Sequence, residues 1–481
     1  MDIAAFEHHL TSPQGSGQLP VGGAVADVDG GACCDRIRFG LGLDGQRVLE
    51  AGFEAEGCGA ATAAGSAAVT LVRGRAVLDA ARIGPAEIAA ELGGLSPGKL
   101  HAAELASDAL ARALGAAVRD AGALVAPAPP GGRTLVAMSG GVDSTVVALL
   151  CARERDAVAV TLELWADPEH DGERSCCSAS AVAQARALAH RLGLAHFTLD
   201  LRPEFRAGVV EPFIAAYAAG ETPNPCTRCN GHVRLDAMLE FADRLGCQQL
   251  ATGHYARTAE RDDERGPLLR QAVDTAKDQT YMLAALSSSS LARLAFPLGE
   301  LTKPAVRELA AQAGLPVAGK ADSQDLCFLQ GTDRGRFLAR HGGLDSAAGE
   351  IVDRRGAVLG HHQGQELFTV GQRRGLGVAR GEPLYVLDKQ AASNRVVVGP
   401  RAALATTRVR VRGARLHRPA ERVDRVKLRY RSAPQPARLS PGGSERRMTV
   451  ELAEPVAGAA PGQLACLMDG DLVVGWATIS R

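Results

Sequence analysis

The chain has 481 residues, of which 46% are hydrophobic and 22% are charged, and its formal net charge is zero. This length exceeds what one hydrophobic core usually organises, and zero net charge argues against a globally basic nucleic-acid binder. The sequence shows neither a leader-like start nor an apolar run long enough for a bilayer, so we expect a cytoplasmic protein with no membrane contact.

Strands and helices are predicted on both sides of an uncharged, proline-rich segment. Before it, residues 36–43 are strand-like, and residues 60–72 and 102–117 are helix-like. The segment itself, ALVAPAPPGG at residues 123–132, is predicted to be a linker. After it, short apolar strands alternate with helices, which predicts a doubly wound parallel sheet. Beyond residue 342, short β-like runs with glycine turns predict small β domains and a barrel.

We therefore predict five segments along the chain. They are an N-terminal α+β domain (1–122), the linker (123–132), a catalytic α/β domain (133–342), a central small β domain (343–401) and a C-terminal β-barrel (402–481). Charge is unevenly distributed: residues 1–130 hold nine Lys/Arg against fifteen Asp/Glu, whereas residues 401–447 hold fourteen against three. The basic region is typical of phosphate-backbone contact, although an arginine-rich solvated face would give the same count.

A glycine-rich loop, SGGVDS at residues 139–144, follows the first strand of the α/β region and opens a helix. The two glycines let backbone N–H groups approach a phosphate, the serines add hydroxyl donors, and the helix N-terminus favours an anion. The Lys-Ser/Thr ending of a Walker A loop is absent, so γ-phosphate transfer is not expected. The loop resembles the PP-loop of the ATP pyrophosphatase superfamily. That resemblance implies an adenine nucleotide alpha hydrolase-like fold and activation of an oxygen by adenylation.

Two predicted loops carry cysteines. TPNPCTRCN holds Cys226 and Cys229, and KADSQDLCF holds Cys327. Taken alone, a single C-x-x-C could be a zinc half-site, a redox pair or chance. A solvent-accessible loop cysteine beside Arg228 would have a lowered pKa and more thiolate character, which favours reactivity.

Seven motifs follow one another over residues 133–481: SGGVDS, TPNPCxxCN, ATGHYAR, KDQTYML, DSQDLCF, TVGQRRGLG and VKLRYR. Together they closely resemble the tRNA-specific 2-thiouridylase family (MnmA/TrmU). The resemblance implies that Cys327 carries a persulfide sulfur, and that Cys229 is the nucleophile, able to form a disulfide with Cys327. It also implies adenylation of the carbon-2 oxygen of the wobble uridine of tRNA, sulfur attack and loss of AMP. Magnesium would accompany ATP, and a cysteine desulfurase or sulfur relay protein would donate the sulfur.

The same resemblance implies a set of binding residues. Those for ATP are Ala137, Met138, Ser139, Gly140, Gly141, Val142, Asp143, Ser144, Leu162 and Gly253. Those bordering the flipped target base are Asn224, Pro225 and Cys226. The further tRNA contacts are His254, Lys277, Asp278, Gln279, Arg429, Tyr430 and Gln463.

Cysteine at position 226 departs from the family, many members of which have Asp there. The chain therefore has three thiols, Cys226, Cys229 and Cys327, that could meet and hold a four-iron four-sulfur cluster with one open iron. Such a cluster could bind the transferred sulfide without a persulfide. Both mechanisms are compatible with the sequence.

Residues 21–117 resemble the IscU/NifU N-terminal scaffold family through GACCD, EGCGAA and LSPGKLHAAELASDAL. The resemblance implies the metal ligands Cys33, Asp35, Cys58 and His101, whose donor atoms suit iron or zinc. Ala102 stands where the family has its third cysteine, and Cys34 replaces the usual glycine. The domain could deliver iron–sulfur or sulfur to the fused enzyme at raised effective concentration, or it could be kept for docking or folding.

Two other functions are compatible with parts of the sequence. The chain could be chiefly an iron–sulfur cluster assembly or carrier protein, or a PP-loop ligase acting on a small molecule. The missing third scaffold cysteine argues against the first function. A small-molecule ligase needs neither a reactive cysteine pair nor a basic β domain. We therefore expect a tRNA sulfurtransferase.

Overall fold

The computed structural model arranges the chain as four groups of secondary structure that follow one another in sequence. It describes residues 2–30, 34–167, 178–259, 265–322, 326–344, 347–378, 380–444 and 447–481. Within that part of the chain, no helix is both long enough and apolar enough to cross a bilayer. The predicted fold class is confirmed, while the domain boundaries stay a prediction.

The N-terminal group is a three-stranded antiparallel sheet covered by helices. Its elements are α1 (Ile3–Thr11), β1 (Ala24–Gly30), β2 (Asp35–Asp44), β3 (Arg47–Glu56), α2 (Gly59–Val72), α3 (Val77–Ala80), α4 (Pro85–Glu91) and α5 (Leu100–Asp120). The strand order is β1-β2-β3. Side chains alternate along β2, where Ile37 and Phe39 are buried while Arg36 and Arg38 are exposed, so one face of the sheet forms a core.

A five-stranded parallel sheet forms the centre of the second group. Its helices are α6 (Val142–Glu154), α7 (Ala179–Arg191), α8 (Arg202–Phe205), α9 (Glu211–Ala218), α10 (Pro225–Cys229), α11 (Leu235–Arg244), α12 (Thr280–Leu283), α13 (Ser288–Leu291), α14 (Lys303–Gln312) and α15 (Arg334–Gly342). The strands of the parallel sheet are β4 (Arg133–Ala137), β5 (Asp156–Glu163), β6 (Ala195–Asp200), β7 (Gln249–Ala251) and β10 (Leu294–Ala295). Two further strands of this part of the chain, β8 (Arg257–Ala259) and β9 (Leu268–Arg270), pair with the barrel instead.

The strand order of the parallel sheet is β10-β7-β4-β5-β6. The chain winds from β4 outward through β5 to β6, and then returns to place β7 on the other side of β4. Ligands of open α/β sheets bind at such a reversal, beyond the carboxyl ends of the strands. The loops after β4 and β7 therefore mark the expected site.

The two remaining groups are all-β. The small sheet contains β11 (Gly349–Val352), β12 (Val358–His362), β13 (Tyr385–Gln390) and β14 (Arg395–Gly399), in the order β12-β11-β14-β13. The barrel contains β15 (Ala405–Leu416), β16 (Arg425–Lys427), β17 (Gln435–Ser444), β18 (Arg447–Ala457), β19 (Leu464–Asp469) and β20 (Leu472–Ile479). Pairing of β15 with both β18 and β20 closes the barrel, and β9 extends it by pairing with β20.

Helix α5 packs along β6, the edge strand of the parallel sheet. Gly115 permits this close approach, because a Cβ atom there would lie 2.0 Å from the carbonyl oxygen of Thr198. The backbone N–H of His196 donates to the carbonyl of Ala81 at 2.9 Å. The N-terminal group thus covers the edge that the parallel sheet would otherwise expose.

Ion pairs cross the same interface. Asp108 of α5 binds Arg186 of α7 at 2.6 Å, and Arg112 binds Glu163 of β5 at 2.7 Å. All four side chains are largely shielded from solvent, and breaking a buried pair leaves an uncompensated charge. The N-terminal group therefore has a fixed position on the catalytic sheet.

Candidate active site

A cavity of about 1420 Å³ opens beyond the carboxyl ends of β4, β5 and β7. Small-molecule pockets commonly measure roughly 300–1,000 Å³, so this cavity has room for more than a nucleotide. The predicted site residues that line it are Ala137, Met138, Ser139, Gly141, Val142, Asp143, Ser144, Leu162, Gly253, His254, Lys277, Gln279 and Tyr430. Gly140 lies in the same loop without contributing to the wall.

The loop between β4 and α6 has the geometry of an anion cradle. Gly140 adopts a left-handed conformation with φ +67°, and Gly141 caps the N-terminus of α6. The backbone N–H of Ser139 donates to the hydroxyl of Ser144 at 3.1 Å. A Cβ atom on Gly253 would lie 3.0 Å from the backbone nitrogen of Ser144, so glycine allows the loop after β7 to approach. Phosphate groups fit such a helix N-terminus.

A network of ion pairs and hydrogen bonds surrounds Asp143, and the sequence did not indicate one of its members, Lys303. Lys303 places its Nζ 2.8 Å from both carboxylate oxygens of Asp143, and the Tyr255 hydroxyl donates to Asp143 at 2.9 Å. Asp322 binds Lys277 and Lys303, each at 2.8 Å. Burial alone would raise the pKa of Asp322, but hydrogen bonds from the two lysines lower it to about 2. Asp322 belongs to the KADSQDLCF segment, whereas no motif in the sequence indicated Lys303.

Lys320 brings positive charge to the loop itself. Its Nζ donates to the carbonyl of Gly140 at 3.0 Å and to the side chain of Gln184 at 2.6 Å. Arg234 and Arg431 also line the cavity. A cavity with basic groups facing a glycine-rich loop suits a polyanion such as a nucleoside triphosphate or an RNA backbone.

Cys226 and Cys229 lie in helix α10, so the expectation of an accessible cysteine loop is wrong. The Asn224 side chain caps the helix by accepting from the backbone N–H of Cys226 at 3.0 Å, and Pro225 occupies its first turn, where proline is tolerated. Cys229 is buried, with 7% of its surface exposed, while Cys226 is half-buried. Burial raises the pKa of the Tyr430 hydroxyl in the cavity wall, and Cys226 adds a smaller contribution in the same direction.

Cys327 begins a short 3₁₀ turn, Cys327–Leu329, and is half-buried. Its neighbour Phe328 packs on Phe205 and Phe213, with ring centroids 5.8 and 5.1 Å away. Arg228 of α10 donates to the carbonyl of Gly208, which lies between Phe205 and Phe213 in the helical segment 202–218. Helix α10 and the turn that begins at Cys327 therefore both contact the helical segment 202–218.

Segments that flank Cys327 reach the cavity from both sides. Lys320 and Asp322 precede it in the wall, and Gln330 and Gly331 follow it. Residues 323–325 of the DSQDLCF motif lie outside the described residues.

The predicted tRNA contacts separate into two groups. His254, Lys277, Gln279 and Tyr430 line the cavity. Burial, helped by Arg234, lowers the pKa of His254 to about 3, so its imidazole is neutral at physiological pH. Its Nδ1 lies 2.9 Å from the Thr252 hydroxyl.

The other predicted tRNA contacts are engaged within the protein. Asp278 is buried, and its carboxylate accepts from Lys427 at 3.1 Å. Arg429 is exposed and donates to the carbonyl of Ala457 at 3.1 Å. Gln463 donates to the carbonyl of Thr222, just before α10, at 2.7 Å.

Asp35, Cys58 and His101 form a candidate metal site in the N-terminal group. Their ligand atoms lie within 4.8 Å of one another. The Cys58 thiol donates to Asp35 at 3.3 Å, and the His101 Nε2 lies 3.2 Å from the same oxygen. Carboxylate, thiolate and imidazole donors suit iron or zinc. The fourth predicted ligand, Cys33, lies outside the described residues.

Two features limit the predicted metal chemistry. Ala102, at the position of the scaffold family's third cysteine, is fully buried in α5. Across the described ranges, the Asp35 group is the only one whose ligand atoms are close enough together for a single metal ion, and a four-iron cluster at Cys226, Cys229 and Cys327 stays a prediction.

Four family models match consecutive parts of the chain. They are the NifU-like N terminal domain (residues 4–119), the tRNA methyl transferase HUP domain (132–331), the tRNA methyl transferase PRC-barrel domain (335–400) and the Aminomethyltransferase beta-barrel domain (406–479). These matches follow the four groups of secondary structure.

Curated relatives match over nearly the whole chain or over its last three quarters. A "Bifunctional protein NifU/MnmA" from Rubrobacter xylanophilus is 45% identical, with 98% of this chain and 97% of the relative covered. A "tRNA-specific 2-thiouridylase MnmA" from Rhodospirillum rubrum is 44% identical, with 74% of this chain and 99% of the relative covered. The chain therefore belongs to the tRNA-specific 2-thiouridylase family, in its bifunctional NifU/MnmA form.

Proposed function

We propose that the protein catalyses ATP-dependent 2-thiolation of the wobble uridine of tRNA. The observation that carries the proposal is the large basic cavity, which is lined by the PP-loop and by residues on both sides of Cys327 in sequence, Asp322 and Gln330. Arg234, five residues after Cys229, also lines it, whereas Cys229 and Cys327 themselves do not. Membership of the family supports the reaction class, tRNA sulfurtransferase. A cavity roomier than a nucleotide needs is what an extruded uridine beside ATP would require.

The first chemical step is adenylation of the uridine. The carbon-2 oxygen attacks the α-phosphorus of ATP, and pyrophosphate leaves. The loop at residues 139–144 and Lys320 would hold the phosphates, since they supply N–H donors and a cation. Magnesium would neutralise phosphate charge there.

The second step transfers sulfur. The terminal sulfur of a Cys327 persulfide attacks carbon-2, and AMP leaves with the former carbon-2 oxygen. The Cys229 thiolate then attacks the Cys327 sulfur, which releases 2-thiouridine and forms a Cys229–Cys327 disulfide. A thiol reductant regenerates the two thiols, and a sulfur-donor protein reloads Cys327.

Metal binding by the N-terminal group is a second proposed activity, favoured by the geometry at Asp35, Cys58 and His101. These residues would hold iron or zinc, and the bound metal would supply a thiophilic centre for sulfur or cluster delivery. The fixed docking of α5 would keep this site at one place relative to the catalytic sheet.

Thiolation of unmodified tRNA by the purified protein tests the main proposal. With ATP and a persulfide donor, we expect 2-thiouridine from the native chain and none above background from Cys229→Ala or Cys327→Ala. Cys247→Ala is the matched control, because Cys247 is also buried and its pKa is raised to about 12, so it is not a thiolate. Nucleoside mass spectrometry measures the product, and undiminished thiolation by Cys229→Ala would overturn the proposal.

Iron and sulfide analysis of anaerobically purified protein tests a cluster at Cys226, Cys229 and Cys327. The cluster mechanism predicts about four irons that are lost with any of the three cysteines. A colourless, fully active enzyme rejects it and leaves the persulfide route.

A further inference from the structure

The segment that leads into helix α10 is held by both β regions. Residues 220–222, called the strap here, present three consecutive carbonyl groups, and each accepts a hydrogen bond from a different side chain. Arg481 donates to Gly220 at 3.1 Å, Lys389 donates to Glu221 at 3.3 Å, and Gln463 donates to Thr222 at 2.7 Å. Lys389 belongs to the small sheet, whereas Gln463 and Arg481 belong to the barrel region.

The barrel approaches the strap as closely as the backbone allows. The N–H of Thr222 donates to the carbonyl of Pro461 at 2.8 Å. Gly462 has φ +92°, and a Cβ atom on it would lie 2.9 Å from the nitrogen of Thr222. The carboxylate of Glu221 binds Arg412 of β15 at 2.7 Å. The contact is therefore built from backbone and ionic interactions that fix its register.

Lys389 is an unusual residue for such a place, because only 1% of its surface is exposed. Its Nζ lies 5.4 Å from the centre of the Tyr217 ring, and Tyr217 lies in the last turn of α9, the helix before the strap. Burial lowers the pKa of Lys389 to about 7. Burying an amine costs free energy whether or not it carries a charge, so a contact that only filled space would be better made by an apolar side chain.

A short, stiff connection joins the strap to the cysteines. Only Pro223 separates Thr222 from Asn224, the cap of α10, and Pro225 follows it. Proline restricts backbone rotation, so a shift of Thr222 is passed to the helix. The barrel also holds α12, which packs against α10, since the Tyr281 hydroxyl donates to the carbonyl of Leu464 at 2.8 Å.

We propose that Lys389, Gln463 and Arg481 are positioning residues that set the place of helix α10 through the strap. The two β regions then act on the cysteine chemistry as well as on tRNA. The inference rests on the proposed function for its kinetic readout, and its thiol readout is independent of tRNA.

The variant Lys389→Met tests the inference, because it keeps an unbranched side chain only one atom shorter and removes the donor. At saturating tRNA we expect kcat for thiolation to fall by about tenfold or more, as displacement of a reacting group predicts, with KM for tRNA within about twofold. Pyrophosphate release in the first turnover should stay unchanged. Without tRNA, the rate at which an oxidant forms the Cys229–Cys327 disulfide should also differ between Lys389→Met and the native chain.

Two further variants make the test specific. Lys389→Gln keeps a donor and should retain more activity than Lys389→Met, and it serves as the test should the methionine variant not fold. Arg395→Met removes an exposed ion pair with Glu350 on the same sheet and should behave like the native chain. Unchanged kcat and disulfide rate in both Lys389 variants would overturn the inference. If the native chain does not thiolate tRNA, the proposed function fails, while the disulfide rates still decide the role of the strap.

Discussion

Glycine at position 115 should be essential for docking the N-terminal group on the catalytic sheet. In Gly115→Ala, the new methyl group would lie 2.0 Å from the carbonyl oxygen of Thr198, and backbone atoms cannot rotate away. Alanine inside a helix gains about 1 kcal/mol over glycine. Overpacking costs about 1–3 kcal/mol, and the upper end, about 3 kcal/mol, applies here because the clash is with backbone and α5 must move as a whole. We therefore expect a net destabilisation of about 2 kcal/mol, set by the difference between these two effects.

Thermal unfolding followed by circular dichroism measures this effect. Gly98→Ala is the matched control, because it lies in the turn before α5 and a Cβ atom there would have no neighbour within 4 Å. The control should stay within about 0.5 kcal/mol of the native chain. Faster protease cleavage in residues 123–132 should accompany the loss in Gly115→Ala, since undocking exposes that segment. A Gly115→Ala chain more stable than the native one would show that helix propensity decides the sign, and would refute this packing of α5.

Two predictions concern ionisable groups. Burial raises the pKa of Glu163 to about 7 despite the pull of Arg112, so the folded state holds a proton that the unfolded state releases near pH 4.5, and the stability contributed by Glu163 falls as pH rises between these values. Glu163→Gln loses the Arg112 ion pair, but its stability relative to the native chain should rise by about 2–3 kcal/mol from pH 5 to pH 8 in urea unfolding. A pH-independent difference would contradict this. His101→Ala removes one of three gathered donors and should lower bound zinc or iron by about tenfold or more in elemental analysis, whereas the exposed His8→Ala should not. Equal metal content in both variants would exclude the proposed site.

Local sequence patterns determined the sheet, the nucleotide loop and the family. Apolar strands alternating with helices predicted the parallel sheet, because each strand buried on both faces needs a continuous apolar run. The loop at residues 139–144 was predictable because its glycines and serines act on backbone only a few bonds away. Motif order then identified the family, since seven motifs in one order constrain a sequence far more than any one of them.

The sequence predicted a loop at Cys226 and Cys229, whereas the structure has a helix there. Two prolines and an asparagine are typical of a loop, but the same residues also cap and begin a helix. Packing of Cys229 in the core selects the helix. Whether Cys229 is buried depends on which distant segments pack against it, and the local sequence does not contain that information.

Tertiary structure alone decided the remaining features of the site. Lys303 reaches Asp143 across 160 positions, Gln463 reaches Thr222 across 241, and Arg112 reaches Glu163 across 51. Lysine, glutamine and arginine are common surface residues, and nothing near them in sequence records their partners. The physical reason is that a buried ion pair or hydrogen bond gains its strength from desolvation, which exists only after distant segments have packed together.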